Sequence, residues 1–198
     1  MTKICFIRHG ETDWNVEKRL QGTSDVPLND FGELQAHWCK EYLMEGHWDV
    51  IVTSPLVRSR KTAEIINEKL HLPLIVMEEF KERFFGDAEG MSLEERKSLF
   101  PFGQYTNQES RARLNNRLQA GLNRLKDDYK GKNILLISHG AVISSMIRMF
   151  EEDESKYCSI SNASFTTLEF IDAEWKVTSS NVTKHLDKMY TLAKNNEG

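Results

Sequence analysis

The stretch Lys3-Ile4-Cys5-Phe6-Ile7-Arg8-His9-Gly10-Glu11-Thr12 decides the fold, because an apolar run halts there at a cation, an imidazole and a glycine. A short unbroken apolar run is what a strand buried on both faces requires, as in a parallel sheet covered by helices. In open α/β sheets ligands bind outside the carboxyl ends of the strands. Arg8-His9-Gly10 at such an end is therefore a candidate anion site. A histidine alone in that place reads as a structural cap, so His9 becomes a functional candidate only if other residues join it.

A second strand supplies the company. Asn133-Ile134-Leu135-Leu136-Ile137-Ser138-His139-Gly140 repeats the pattern and leads into a helix over 142–150. Residues 49–53 and 74–76 read as two further buried strands, and helices are expected from Asn29 or Asp30 to about 43, over 56–70 and over 108–129. The first should bury Phe31, Leu34, Trp38, Tyr42 and Leu43. The last should bury Leu114, Leu118, Leu122 and Leu125, with Gly121 as its weak point. Ser92-Leu93-Glu94-Glu95 has capping-box spacing and starts a short helix that Pro101 and Gly103 end. Residues 13–28 read as a loop, 165–171 and 175–179 as an antiparallel pair turning at Asp172-Ala173, and 183–193 as a closing polar helix. Strands alternating with helices predict the α/β class, a three-layer α/β/α sandwich with a mainly parallel central sheet. The expectation is one domain over 1–198, with a helical insertion at about 91–130 shaping a pocket.

Composition sets the outer bounds. With 198 residues, 39% hydrophobic and 28% charged, the chain suits a globular domain with a sizeable core. No run approaches the ~20 apolar residues of a membrane helix, and the amino terminus lacks the layout of a secretory signal, so the expectation is a cytoplasmic protein with no membrane partner. A net charge of −4 argues against a nucleic-acid partner, although it leaves room for a local basic pocket. Cys5, Cys39 and Cys158 are far apart and form no CxxC pair, so reduced core thiols are expected. No metal site and no cofactor are indicated. The sequence carries no reading of oligomeric state.

The two His-Gly strand ends, Arg58 one turn beyond Ser54-Pro55, and Glu82 after the fourth strand should converge at one sheet edge. Arg8 and Arg58 offer planar forks that match phosphate oxygens. Guanidinium groups beside an imidazole disfavour its protonated form, which keeps one histidine neutral and nucleophilic. A bound phosphate dianion would raise the pKa of Glu82, making it a general acid for the leaving alkoxide. Glu78, Glu79 and Glu89 are rivals for that role. Phe84, Phe85, Phe100, Phe102 and Tyr105 are either core residues or the walls of an apolar substrate pocket.

These residues together resemble the histidine phosphatase superfamily, which includes cofactor-dependent phosphoglycerate mutases and many small phosphatases. Arg8-His9-Gly10-Glu11-Thr12 with Trp14 and Asn15 is similar to the family signature, in which the first histidine is the phosphorylated nucleophile and Arg and Asn hold phosphate oxygens. Gln21-Gly22 resembles a block whose first residue reaches into the phosphate pocket. Arg58 matches the second clamping arginine, Glu82 the acid donor, and His139-Gly140 the second phosphate-binding histidine and its glycine. The resemblance implies a phosphoglycerate mutase-like fold, catalytic His9, Glu82, Arg8, Arg58 and His139, and substrate contacts at Asn15, Gln21, Gly22 and Gly140.

Mutases of this family carry a tyrosine where Phe85 stands, a lysine where Leu93 stands, and an adjacent arginine pair; here Arg111 and Arg113 are not adjacent. The branch expected is therefore a small phosphatase of broad specificity, forming a phosphohistidine on His9 and acting on a small-molecule phosphomonoester. The alternatives are a bisphosphoglycerate-dependent phosphoglycerate mutase, a pathway-specific phosphatase such as α-ribazole phosphatase, and, in a different class, a non-catalytic phospholigand-binding regulator.

Overall fold

Runs without polar interruption lay down the centre of the sheet. A computed structural model of the chain describes residues 1–157 and 159–186. In it Thr2–Arg8 (β1), Val50–Thr53 (β2), Leu74–Val76 (β3) and Asn133–Ser138 (β4) are parallel, in the spatial order β3-β2-β4-β1. Phe165–Ile171 (β5) runs antiparallel beside β1, and Glu174–Val182 (β6) antiparallel beside β5. The β5–β6 turn puts both Asp172 and Ala173 at positive φ, 53° and 67°, as a two-residue hairpin with matching twist requires. The helices are Asp13–Val16 (α1), Asp30–Leu43 (α2), Val57–Leu70 (α3), Leu93–Leu99 (α4), Arg111–Asp128 (α5) and Gly140–Phe150 (α6).

Alternation along β1 separates two cores. Ile4 and Phe6 join Leu114, Leu118, Leu122 and Leu125 of α5 and Val142, Ile143 and Met146 of α6. Cys5 and Ile7 face the other way, onto Trp38, Cys39 and Leu43 of α2 and Ala63 and Ile66 of α3. Each fully buried leucine of α5 contributes roughly 1.5–3 kcal/mol relative to exposure. The three-layer α/β/α sandwich expected from the sequence is the observed fold.

Details differ from expectation, with physical reasons. In α2, Leu34 and Tyr42 are 41% and 49% exposed, and the buried stripe is Gly32, Gln35, Ala36, Cys39 and Leu43 with Trp38 and Lys40. Close approach of this helix to the Gly10 backbone dictates that stripe: a Cβ on Gly32 would lie 2.0 Å from Glu11 O, and one on Gly10 2.2 Å from Gly32 O. The loop expected over 13–28 begins with α1, because Thr12 and Asn15 cap it reciprocally. Gly121 is less a weak point than a packing requirement, since a Cβ there would meet Phe80 Cζ at 2.8 Å and Glu79 Cβ at 2.9 Å. The capping box at Ser92 and Glu95 forms as expected. Cys158 and the part of the closing helix beyond Leu186 lie outside the described residues.

Candidate active site

β1 and β4 lie side by side with Arg8 opposite Ser138, so His9 and His139 leave the sheet together, and their ring centroids are 5.2 Å apart. On the other flank of β4, β2 turns through Ser54-Pro55 into α3, whose second residue is Arg58. That side chain is fully buried, which demands acceptors for its donors. It finds three: Nη2 donates to Gly22 O and Nη1 to Ser24 O, both at 2.8 Å, and Nε donates to His9 Nε2 at 3.2 Å.

His9 is 3% exposed. Its Nδ1 faces the Gly10 carbonyl at 2.7 Å, an oxygen that can only accept, so the proton sits on Nδ1 and Nε2 keeps its lone pair. Burial, then the guanidinium groups of Arg58 and Arg8, hold its pKa well below the usual histidine range. Burial and the charge of Arg58 do the same to His139, whose Nε2 pairs with Ser54 Oγ at 2.6 Å. Both imidazoles are neutral at pH 7. Arg8 anchors by donating from Nη1 to Ile160 O.

Glu82 is 8% exposed and reaches the same electrostatic neighbourhood from the segment after β3. Its Oε1 accepts from Arg83 N at 2.9 Å and its Oε2 from Ala141 N at 3.1 Å, at the start of α6. Burial raises its pKa, against the opposing pull of those amides and of Arg58 and Arg8. The rival carboxylates are placed otherwise. Glu79 pairs with Arg124 at 3.3 Å, Glu89 is enclosed by backbone amides and hydroxyls, and Glu78 lines the outer cleft.

Asn15 and Gln21 meet at Thr12. Gln21 Nε2 donates to Thr12 Oγ1 at 2.7 Å, and Asn15 Oδ1 accepts from Thr12 N at 3.2 Å and from Asn162 Nδ2 at 3.1 Å. Gly22 has φ +53°, and a Cβ there would lie 1.8 Å from Glu89 Oε1, so its place in the site is through its backbone. Space does not require glycine at 140, where a Cβ would be 3.6 Å from Arg8 Nε, an ordinary contact. Arg8 Nε, His139 Nδ1 and Gln21 Oε1 are buried with no hydrogen-bond partner among the described residues. The first of these is a donor suited to a phosphate oxygen, and His139 Nδ1 becomes one in the tautomer that places its proton there.

Several positioning residues carry no motif and were not foreseen. Arg117 of α5 donates to Glu79 O and Lys81 O at 2.7 Å and to Glu82 O at 3.2 Å, while a two-point bond to Glu109 holds its guanidinium. Gln35 accepts from Glu11 N, Thr62 from Gly10 N, and Asn162 donates to His9 O, all within 3.2 Å. An arginine on the buried edge of a leucine-rich helix was the only sequence signal for any of them.

A cleft of about 610 Å³ has Glu82 in its wall, with Phe84, Lys81, Asn107, Gln108 and Arg113. Of the five aromatics singled out from sequence, Phe84 alone lines it. Phe85 lines a neighbouring cleft with Arg83, Arg111 and Ala141, Phe85 and Phe100 each pack edge to face on Tyr105, and Phe102 is 91% exposed. Among the described residues no group of three metal-ligating side chains occurs, and no helix is long and apolar enough to cross a membrane.

The family model described as the histidine phosphatase superfamily (branch 1) matches residues 4–183. A Bacillus subtilis (strain 168) relative named uncharacterized phosphatase PhoE is 44% identical over 188 residues, 94% of this chain and 97% of the relative. Phosphoglycerate mutase-like protein 4 of Arabidopsis thaliana is 30% identical, covering 94% of this chain and 87% of the relative. Among solved structures, a phosphoserine phosphatase from Entamoeba histolytica bound to phosphoserine superposes with TM-score 0.80 at 31% identity, covering 94% of this chain and 100% of that one. YhfR of Bacillus stearothermophilus superposes with TM-score 0.87 at 25% identity, with the same coverage.

Proposed function

Since the chain belongs to the histidine phosphatase superfamily, we propose that it is a broad-specificity phosphomonoester hydrolase that works through a phosphohistidine on His9. The observation that carries this reading is the fixed tautomer of His9, with Nδ1–H on the Gly10 carbonyl and the Nε2 lone pair held beside a buried guanidinium. Such a nitrogen is a nucleophile that needs no base to activate it.

In the first half-reaction Arg8, Arg58 and His139 hold the non-bridging phosphate oxygens, with Asn15, Gln21 and the backbone around Gly22 and Gly140 completing the cradle. Arg58 Nε gives up its bond to His9 Nε2 as the guanidinium takes a phosphate oxygen. The freed Nε2 pair attacks phosphorus in line, the bond to the ester oxygen breaks, and Glu82 protonates the departing alkoxide. In the second, the Glu82 carboxylate takes a proton from water, whose oxygen attacks phosphorus and breaks the P–N bond. Phosphate leaves, and both side chains return to their starting forms. Arg8 and Arg58 face the charge that spreads over the equatorial oxygens.

The leaving group occupies the 610 Å³ cleft, shaped by the segment at about 91–130 and by Phe84. Its mixed lining, with Phe84 beside Lys81, Arg113 and two amides, supports tolerance of many small alcohols. The small-molecule substrate is a phosphomonoester, and the setting we infer is the cytoplasm, which accords with the free, buried thiols of Cys5 and Cys39. A phosphomonoester panel containing 3-phosphoglycerate with its bisphosphate primer tests the reading. Hydrolysis of several esters without mutase turnover is expected. Isomerisation of 3-phosphoglycerate would make the chain a mutase, and phosphate binding without turnover would make it a phospholigand-binding regulator.

A further inference from the structure

Glu89 belongs to the segment that carries Glu82, and its carboxylate is ringed by donors. Oε1 accepts from Thr23 N at 2.8 Å and Phe85 N at 3.0 Å, and Oε2 accepts from Ser24 N at 3.0 Å and Ser24 Oγ at 2.9 Å. The neighbouring strands of loop are joined as well, Gly90 N donating to Leu20 O at 2.7 Å and Leu20 N to Met91 O at 3.1 Å. The loop so held presents Gly22 O and Ser24 O to the Arg58 guanidinium, whose remaining Nε meets His9 Nε2. Asp25 fastens the far end of the loop by accepting from Val57 N, at the start of the helix that bears Arg58, at 2.7 Å.

We propose that Glu89 is a positioning residue that sets the Arg58 guanidinium, and through it the lone pair of His9, by holding loop 22–24 against the acid-bearing segment. Three features set this apart from an ordinary loop staple. The ring of donors can be satisfied only by a group with two acceptor oxygens, so glutamine leaves a backbone N–H facing an NH2 group. Residue 22 must be glycine because the carboxylate stands where any side chain would begin. A fully buried guanidinium whose two terminal nitrogens each donate to a carbonyl of a single loop moves when that loop moves. Burial lowers the Arg58 pKa to about 10, and the charge of Glu89 is one of those opposing that fall.

The proposal rests on the phosphatase reading, and its test is a double-mutant cycle with a binding arm independent of turnover. Glu89→Gln should lower kcat/KM by about 10- to 100-fold, since sub-ångström displacement of a clamp is felt at the reacting atom. In an Arg58→Ala background the same change should cost less than about 2-fold. Affinity for vanadate, measured calorimetrically, should show the same loss and the same lack of additivity. The nitrogen-15 resonance of Arg58 Nε should also shift in Glu89→Gln. Losses that multiply with those of Arg58→Ala, or an unmoved Arg58 signal, would overturn the proposal, because a merely structural staple predicts both. If Glu89→Gln does not fold, Ser24→Ala removes the bond from Ser24 Oγ to Oε2 and goes through the same cycle with the same criteria. Absence of hydrolysis in the wild type would sink the phosphatase reading alone, since the vanadate cycle and the resonance would still decide the role of Glu89.

Discussion

Replacing Glu82 with glutamine removes the acid while keeping the shape of the side chain. In the folded protein its two oxygens each accept one backbone amide, from Arg83 and from Ala141. Glutamine keeps the shape but has one acceptor oxygen, so one buried N–H faces a donor, at a stability cost of about 1–3 kcal/mol. Burial of a carboxyl group at 8% exposure favours its protonated form, the form that donates. Losing a general acid lowers the rate by roughly 10²–10⁴-fold where the leaving group is a strongly basic alkoxide, which is about 2.7–5.5 kcal/mol of barrier. An aryl oxide leaves with little help, so its ester should lose less than about 10-fold. The assay is kcat/KM, which reports the phosphoryl-transfer step, across alkyl and substituted phenyl phosphates. In the wild type the profile against pH should fall on its alkaline side as Glu82 ionises, and in Glu82→Gln that limb should vanish for alkyl esters. An equal loss for every leaving group, or an alkaline limb that survives the substitution, would refute the assignment.

Gly22→Ala should lower both stability and activity: positive φ costs a non-glycine residue about 1–2 kcal/mol, and its Cβ displaces the Glu89 carboxylate. Gly103→Ala, with positive φ but nothing within 4 Å of its Cβ, should lose stability alone, and denaturant unfolding beside kcat/KM distinguishes the pair. Gly121→Ala should destabilise despite a helix-propensity gain of about 1 kcal/mol, because its Cβ strikes Phe80 and Glu79; a raised unfolding midpoint would contradict this. The unfolded chain takes up protons near pH 6.5 that folded His9 and His139 refuse. Stability should therefore be full above that pH and fall as pH drops from 6.5 toward the lower folded values, by up to about 1.4 kcal/mol per pH unit for each group. Glu82 acts in the opposite sense, its contribution being present below pH 4.5 and lost as pH rises through the raised folded value. Urea titrations at several pH values should give a shallower slope for His139→Gln than for the wild type.

The strands and most helix limits were legible because hydrophobic period and capping are local: β1, β4 and the leucines of α5 announce themselves. The buried face of α2 was not, since backbone contact between Gly10 and Gly32 outweighs the preference for burying Leu34 and Tyr42. Of the residues proposed for the site, Arg8, His9, Arg58, Glu82 and His139 could be picked out by the two His-Gly strand ends and by the resemblance of their segments to the family's. Glu89, Arg117 and Asn162 could not, because each acts through backbone groups distant in sequence, and nothing in a side chain's identity tells which carbonyl or amide it will meet. The aromatic segment was ambiguous for a related reason. An edge-to-face cluster and a pocket wall need the same residues, and only packing distinguishes them.

The central claim is that His9 itself carries the phosphoryl group. Rapid mixing with a labelled aryl phosphate followed by an alkaline quench tests it most directly. The account predicts up to one phosphate per chain, stable in base, labile in acid, mapped to His9 and absent from His9→Ala. Turnover without a trapped phosphoryl group at any quench time, or label that survives acid and maps to a hydroxyl residue, would contradict it.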